Sequence, residues 1–354
     1  MPDWTKSMQQ TFEYYIVDPN SWKDIKKIDK VISSTIDWDS ESNTLGSASI
    51  NVDDVLGECY VRIYMITIQN RLRERIPLGT FLIQTPSVTF NGKTKTSNVT
   101  AYTPLIELTE KKPPIGYYIA KDEKAMKKTY QLTSEYLRAP VVEPIDAEPL
   151  AYNFVASDDD TWLSFISDLA NTVNHNLSLD ELGRVIFKPF QDLESMLPTY
   201  TYNDDNSSIL FSDITIDRDL YGIPNVVEVI YSNSDNYFAT RVVNDDPNSP
   251  TSTISRGREI IHRVTDADIV TDQNGTQVME YANRLLKQLS SVEYEVKYKH
   301  GYCGVSVGDC VRLNYTRAGL HNIKAKVISQ SIECIPGCPV TETAVVSMNL
   351  WGGR

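Results

Sequence analysis

The 354-residue sequence has no run of about 18 apolar residues, so no helical membrane span is expected. Basic residues are in deficit: 34 Lys and Arg stand against 47 Asp and Glu, a net charge of −13. A protein that grips nucleic acid needs clustered Lys and Arg to neutralise phosphates, and this balance argues against that class. It remains compatible with a protein past which DNA slides without sticking. The start, Met1-Pro2-Asp3-Trp4-Thr5, lacks a charged stretch followed by an apolar one, so synthesis in a cytosol is expected. Five cysteines in a chain of this length do not make a disulfide scaffold. Asn-x-Ser/Thr sites at Asn98, Asn176, Asn206, Asn274 and Asn314 carry no weight without a signal peptide. Neither Gly-x-Gly-x-x-Gly nor a Walker-type phosphate loop occurs.

What is present suits a protein that buries cores. Hydrophobic residues make up 41% and charged residues 23%, ordinary for globular chains, and the length suggests two or three domains. Tyr is abundant, 20 against 9 Phe. Its ring suits half-buried strands and interfaces that are dry at one end and wet at the other.

The first hundred or so residues read as short strands: 47–52, 60–66, 78–83, 87–90 and 97–102, with Asn91-Gly92 as a hairpin turn. Lys111-Lys-Pro-Pro114 marks a boundary. A helix is expected within 120–137, with Met126, Tyr130 and Leu137 at helical spacing. Residues 140–149 hold three prolines and read as a connector. A second helix follows, capped by Asp158-Asp-Asp160, striped by Trp162, Phe165, Ile166, Leu169, Ala170 and Val173, and ended by His175-Asn176. Residues 179–189 form a short β unit turning at Gly183. Strands return at 225–231 and 237–243, and a polar loop spans 244–256. A helix over about 272–289 carries Val278, Tyr281, Ala282, Leu285 and Leu289 on one face. Four strands close the chain: 292–299, 310–315, 323–333 and 340–348. The expected fold class is mainly β with an α+β insert: a β domain over 1–112, a small α/β domain over 113–212, and a second β domain over 213–354 bearing one helix.

Candidate chemistry is thin. Gly304-Val-Ser-Val-Gly308 matches the Gly-x-Ser-x-Gly nucleophile pattern, which requires strand, sharp turn and helix with acid and His downstream. Here a strand follows, and the sole downstream histidine, His321, sits in a turn, so a loop entering a strand is expected instead. His175, His262, His300 and His321 are scattered, without metal-binding spacing, and read as surface or capping residues. Cys303, Cys310, Cys334 and Cys338 lie near the ends of adjacent strands. Cys334-x-x-x-Cys338 fits a metal-ligand gap, whereas Cys303 and Cys310 are too far apart; metal, disulfide and free thiols all stay open. The pairs and triplets Asp158–Asp160, Asp204-Asp205 and Asp245-Asp246 lack a calcium-loop pattern and read as caps and solvated loops. No catalytic or cofactor-binding residue is assigned.

Taken in order, certain segments carry a resemblance. Ile36-Asp-Trp-Asp-Ser40, Ser47-Ala-Ser-Ile50, Arg75-Ile-Pro-Leu-Gly-Thr-Phe81, Val99-Thr-Ala-Tyr102 and Leu105 open the chain. Asp160-Thr-Trp-Leu163 and Leu182-Gly-Arg-Val-Ile-Phe187 follow. Asn225-Val-Val-Glu-Val229, Tyr281-Ala-Asn-Arg-Leu-Leu286 and Val307-Gly-Asp-Cys-Val-Arg-Leu313 complete it. Together they resemble the baseplate or tail-tip hub proteins of phage tails and related injection machines. The resemblance implies two tail-tube-like barrels flanking the α/β insert. It also implies a non-enzymatic homotrimer that adapts a hexameric tube to a threefold spike and lines the channel for DNA. Implied partners are the tail tube or distal ring protein, the tape-measure C-terminus and a central spike or tip protein. The implied place is the virion tail tip, assembled in the host cytoplasm. No appended lysozyme, peptidase or fibre domain is expected after Trp351-Gly-Gly-Arg354, and cell-wall digestion is expected of another protein. Two other readings stand beside it: a receptor- or carbohydrate-binding adhesion protein, and a virion-associated cell-wall hydrolase.

Overall fold

Alternation of apolar and polar residues draws the first hundred residues into seven strands. They are β1 (Gln9–Val17), β2 (Asp24–Ile28), β3 (Val31–Asp39), β4 (Gly46–Val52), β5 (Cys59–Gln69), β6 (Leu72–Phe90) and β7 (Lys95–Tyr102). The computed structural model describes residues 2–53, 56–90, 92, 95–144, 149–150, 152–217, 220–232, 237–265, 276–289 and 291–349. In β4, Ala48, Ile50 and Val52 point inward while Ser47, Ser49 and Asn51 face outward, the period of two expected of a half-buried strand. The strands expected at 78–83 and 87–90 prove to be one, β6, which runs past Pro77 and Pro86. Both prolines sit beside register shifts. Pro77 faces Tyr64 next to a shift between Ile63 and Tyr64, and Pro86 faces Val99 just after one between Ile83 and Thr85. A bulge leaves backbone donors out of the ladder, so the missing N–H of proline is tolerated there. The β6–β7 pairing extends to Phe90 opposite Lys95, and Gly92 has φ +90°, while Asn91 of the expected turn lies outside the described residues.

The insert holds α1 (Ile106–Thr109), β8 (Tyr118–Ile119), α2 (Ala125–Tyr136), β9 (Phe154–Val155), α3 (Trp162–Asn171), β10 (His175–Leu179) and β11 (Val185–Pro189). Helix α2 falls within the expected span and buries Met126; Leu137, also buried, is the extended residue that caps its C-terminus. Helix α3 buries the expected stripe from Trp162 to Ala170, while Val173 is buried past its end, and its cap is Thr161 rather than the three aspartates. Thr161 Oγ1 accepts from Ser164 N at 3.2 Å, and Ser164 Oγ accepts from Thr161 N at 3.0 Å, a capping box. The helix stops at Asn171. His175 and Asn176 do not end it; they open β10 and pair with Pro189 and Lys188 of β11. Gly183, at φ +75°, makes the turn between these two strands.

Next come β12 (Tyr200–Asn203) and β13 (Leu210–Asp217), then β14 (Val226–Ser232), β15 (Tyr237–Val243), α4 (Thr253–Arg256), β16 (Ile261–Thr265) and α5 (Thr276–Leu289). The polar loop expected at 244–256 ends in the single turn of α4, capped by Ser252. Strand β14 lies between β15 and β16, and α5 packs Val278, Ala282 and Leu286 onto Val227 and Val229 of this sheet. The expected start of α5, residues 272–275, lies outside the described residues. The chain closes with β17 (Ser291–Gly301), β18 (Cys310–Tyr315), β19 (Leu320–Glu333) and β20 (Pro339–Asn349). Residues 351–354 also lie outside those described.

The protein is mainly β with a small helical insert. Its principal sheet of thirteen strands runs β13-β17-β20-β19-β3-β4-β7-β6-β5-β1-β2, with β18 joined to β19 and β12 to β18. The N-terminal strands and the closing strands thus meet along β3 and β19, where Ile36 faces Ile332. By packing, the chain divides into two compact units. One comprises Met1–Ile214 with Lys297–Ala344, the other Thr215–Val296 with Val345–Arg354.

Candidate functional site

The most concentrated polar chemistry lies inside the first unit, around Glu342 of β20. Strand phase puts it there. Val340, Glu342 and Ala344 are buried in alternation along β20, and Tyr298 and His300 lie in the buried phase of β17. Glu342 is fully buried and accepts four donors. Tyr298 Oη donates to Oε2 at 2.6 Å and Tyr202 Oη at 3.2 Å. Gln330 Nε2 donates to Oε1 at 2.5 Å, and His300 Nε2 lies 3.2 Å from the same oxygen. The centre therefore links β12, β17, β19 and β20.

Its electrostatics follow from this packing. Burial disfavours a charged His300, but hydrogen bonds with Cys303 and Glu342 and the carboxylate charge outweigh it and raise its pKa to about 10. Burial also opposes ionisation of Glu342, yet His300 and the hydroxyl and amide donors hold its carboxyl below the usual range. Burial, then the nearby carboxylate, pushes Tyr202 and Tyr298 well above the ordinary phenol value. The centre is thus an imidazolium–carboxylate pair. Both imidazolium N–H groups are engaged, Nε2 with Glu342 and Nδ1 with the Gly301 carbonyl at 2.7 Å.

Cys303, His300 and Glu342 fall in the order of a nucleophile, base and orienting acid, but the geometry is that of a clamp. The thiol lies 3.9 Å from His300 Nδ1, too long for proton transfer, and that nitrogen already serves the Gly301 carbonyl at 2.7 Å. Cys303 Sγ instead contacts Tyr202 Oη at 3.2 Å.

The other sequence candidates are dispersed. Cys334 and Cys338 belong to the core beneath β1–β7, with Tyr14, Ile36 and Val340, while Cys310 begins β18. All five cysteines are free thiols, and among the described residues no group of three His, Cys, Asp or Glu is arranged to hold a metal. Ser306 sits in the turn before β18; its backbone N–H donates to Asp309 at 3.1 Å and its hydroxyl to Glu181 at 3.4 Å. Strand, not helix, follows it. His262 and His321 are exposed and His175 is half-buried, so of the four histidines the surface-or-cap reading is corrected most sharply at His300. Asp160 accepts from Ser157 N, Asp204 from Thr316, Asp205 from Ser207 and Asp246 from Asn248 N. These are loop and cap contacts.

A second polar junction fixes the insert on the N-terminal strands. The Leu182 carbonyl accepts from Trp22 Nε1 at 2.8 Å, Thr80 Oγ1 at 2.9 Å and Arg62 Nη2 at 3.2 Å. Arg62 is buried and paired with Asp24 at 3.0 Å. The next residue is Gly183, whose replacement by any larger residue would set a Cβ 2.7 Å from Thr80 Cβ. Nearby, buried Glu107 takes Tyr60 Oη and the guanidinium of Arg138.

These strands, insert and helix-backed sheet make up a known fold. The chain is similar to the tail protein from Neisseria meningitidis MC58, at TM-score 0.61 and 11% identity over 95% of this chain and 96% of that one. It is similar to the 43 kDa tail protein of prophage MuSo2 from Shewanella oneidensis, at 0.60 and 9% over 95% and 98%. It is also similar to a chain of the half-lidded Francisella PdpA–VgrG complex, at 0.58 and 8%, covering 96% of this chain and 58% of that one. No family model and no curated protein matches the sequence. The likeness is therefore one of fold, the fold of these tail proteins.

Proposed function

We propose that the chain is a structural, non-enzymatic subunit of a phage tail tip or baseplate hub. The observation that carries this is the fold shared with two tail proteins over nearly the whole of both chains. In this reading the chain has three parts: a tube-like barrel over 1–112, an insert over 113–212 and a second barrel over 213–354. Three copies present six barrels to a hexameric tail tube and threefold symmetry to a spike or tip. At −13 each they carry −39, and carboxylates facing a central channel repel phosphate, so DNA and the tape-measure protein pass without binding. The tube or distal ring protein and the spike are the remaining partners. The place of action is the virion tail tip, after assembly in the host cytoplasm. Native mass spectrometry of the chain, alone and mixed with its tail-tube protein, tests the reading. A trimer supports it; a dimer or hexamer overturns it.

A further inference from the structure

The core beneath β1–β7 holds two thiols that the hub reading does not use. Strands β19 and β20 are neighbours in the principal sheet, and the turn between them is Cys334-Ile-Pro-Gly-Cys338. Two observations set their register. Strand β19 ends at Glu333 and β20 begins at Pro339. Further along, Gln330 Nε2 on β19 meets Glu342 Oε1 on β20 at 2.5 Å. Both pairs are centred on Pro336, so Cys334 faces Cys338. Strand phase gives the direction. Gln330, Ile332 and Cys334 are buried in alternation, and so are Cys338, Val340 and Glu342. Both thiols therefore lie on the same side of the hairpin, in one core with Tyr14 and Ile36.

The backbone brings the two together. Cys334 N donates to the Ser34 carbonyl at 3.0 Å and Cys338 N to the Ile335 carbonyl at 2.8 Å, while the Cys338 carbonyl accepts from Tyr302 N at 3.0 Å. With these groups engaged elsewhere, the cysteines make a non-hydrogen-bonded pair, the kind whose Cα atoms lie about 4.5 Å apart. A disulfide spans about 4.4–6.8 Å between Cα atoms. The turn itself is set. Pro336 stands at its second position, Gly337 at its third has φ +94°, and Gly337 N donates to Gln10 Oε1 at 2.9 Å. The hairpin end is thus tied to β1, β3 and the end of β17.

We propose that Cys334 and Cys338 are a disulfide-forming pair, reduced in this structure, whose oxidant is a low-molecular-weight disulfide of the glutathione class. In the first exchange the Cys334 thiol loses its proton, its sulfur attacks one sulfur of oxidised glutathione, and a glutathione thiolate leaves. Cys338 then loses its proton and attacks the Cys334 sulfur, and the second glutathione thiolate leaves. Two cysteine thiols are oxidised, one glutathione disulfide is reduced, and the two released thiolates take up the two protons. Cys334 is the entry point, being 6% exposed where Cys338 is fully buried. Burial raises both thiols above their ordinary range, Cys334 to about 11, so the exchange is slow at neutral pH. Once formed, the bond closes the turn that joins the N-terminal strands to the closing ones. The chemistry does not depend on the hub reading.

The test takes the full chain, reduced and then freed of reductant. It is held folded in a buffer of oxidised and reduced glutathione at mildly alkaline pH, alkylated under denaturant and digested with trypsin. No Lys or Arg lies between Lys326 and Arg354, so both cysteines fall in one peptide, 327–354, while Cys303 and Cys310 share 300–312. Peptide 327–354 is expected to resist alkylation and to be about 2 Da lighter than its dithiol form. This ring is expected to exceed the glutathione-capped form of the peptide by about tenfold, because the second thiol is already in place. Cys303 and Cys310 are expected to be alkylated in full. Cys338→Ser is expected to stop the reaction at capped Cys334, and the parent's peptide map decides the matter whether or not that variant folds. Four results would overturn the proposal: a peptide 327–354 that stays a dithiol, one that is mainly capped, a link between 327–354 and 300–312, or a ring that forms only in denaturant.

Discussion

Replacing Glu342 by Gln tests the buried centre most directly. The side chain keeps its shape but loses its charge, and an amide N–H₂ replaces one oxygen in a site where every neighbour already donates. Tyr202, Tyr298, Gln330 and His300 then share one acceptor where Glu342 offered two. Removing one partner of a buried ion pair costs about 3–5 kcal/mol. In a unit of this size each kcal/mol lowers Tm by about 2–4 °C, so a fall of roughly 6–20 °C is expected. The pH dependence is the sharper readout. His300 titrates near 10 when folded against 6.5 ordinarily, so its contribution is complete below pH 6.5 and is lost as pH rises toward 10. Glu342 has a depressed folded pKa, so its contribution is present above its ordinary 4.5 and lost as pH falls through the folded value. The pair therefore stabilises most between about pH 4.5 and 6.5 and weakens on the alkaline side. Thermal unfolding of parent and Glu342→Gln at pH 6 and pH 9 measures the difference, which cancels the titration of all other groups. The variant is expected to lose more Tm at pH 6 than at pH 9. An equal loss at both, or a variant indistinguishable from its parent, refutes the assignment of a charged pair.

Gly183→Ala is expected to destabilise by about 2–4 kcal/mol, because it combines a left-handed φ with a Cβ against Thr80. Gly304→Ala is the control. It shares φ +75° but meets nothing within 4 Å, so it is expected to cost only about 1 kcal/mol, and denaturant titration of the two separates backbone strain from steric clash. Thiol labelling under native conditions is expected to modify Cys59 alone and slowly, since burial and Glu58 raise its pKa. The four buried cysteines are expected to react only on unfolding; rapid labelling of Cys303 would show that its loop opens.

What could be seen in the sequence, and what could not, follows from strand phase. In Tyr294-Glu-Val-Lys-Tyr-Lys-His300 every second residue is buried, so His300 shares the phase of two tyrosines and a valine. Glu342 likewise shares the phase of Val340, Ala344 and Val346. An ionisable residue in core phase has to find a partner, and two of opposite charge on separate strands imply each other. That signal was present and outweighed by the general tendency of His and Glu to sit at surfaces. The rule fails at Arg62 for a physical reason. From Tyr60 to Thr67 strand β5 is buried at every position, because one face covers the core and the other carries the insert. Alternation disappears where both faces are covered, so nothing in the pattern tells an inward arginine from an outward one. The group that holds the insert in place, the Leu182 carbonyl, belongs to the backbone and has no residue type to betray it. What does mark the spot is Gly183 beside it, where a turn glycine also clears space for Thr80. A glycine at the tip of a short β unit thus carries two messages, and the tertiary one becomes readable only when the strand it leans on is known.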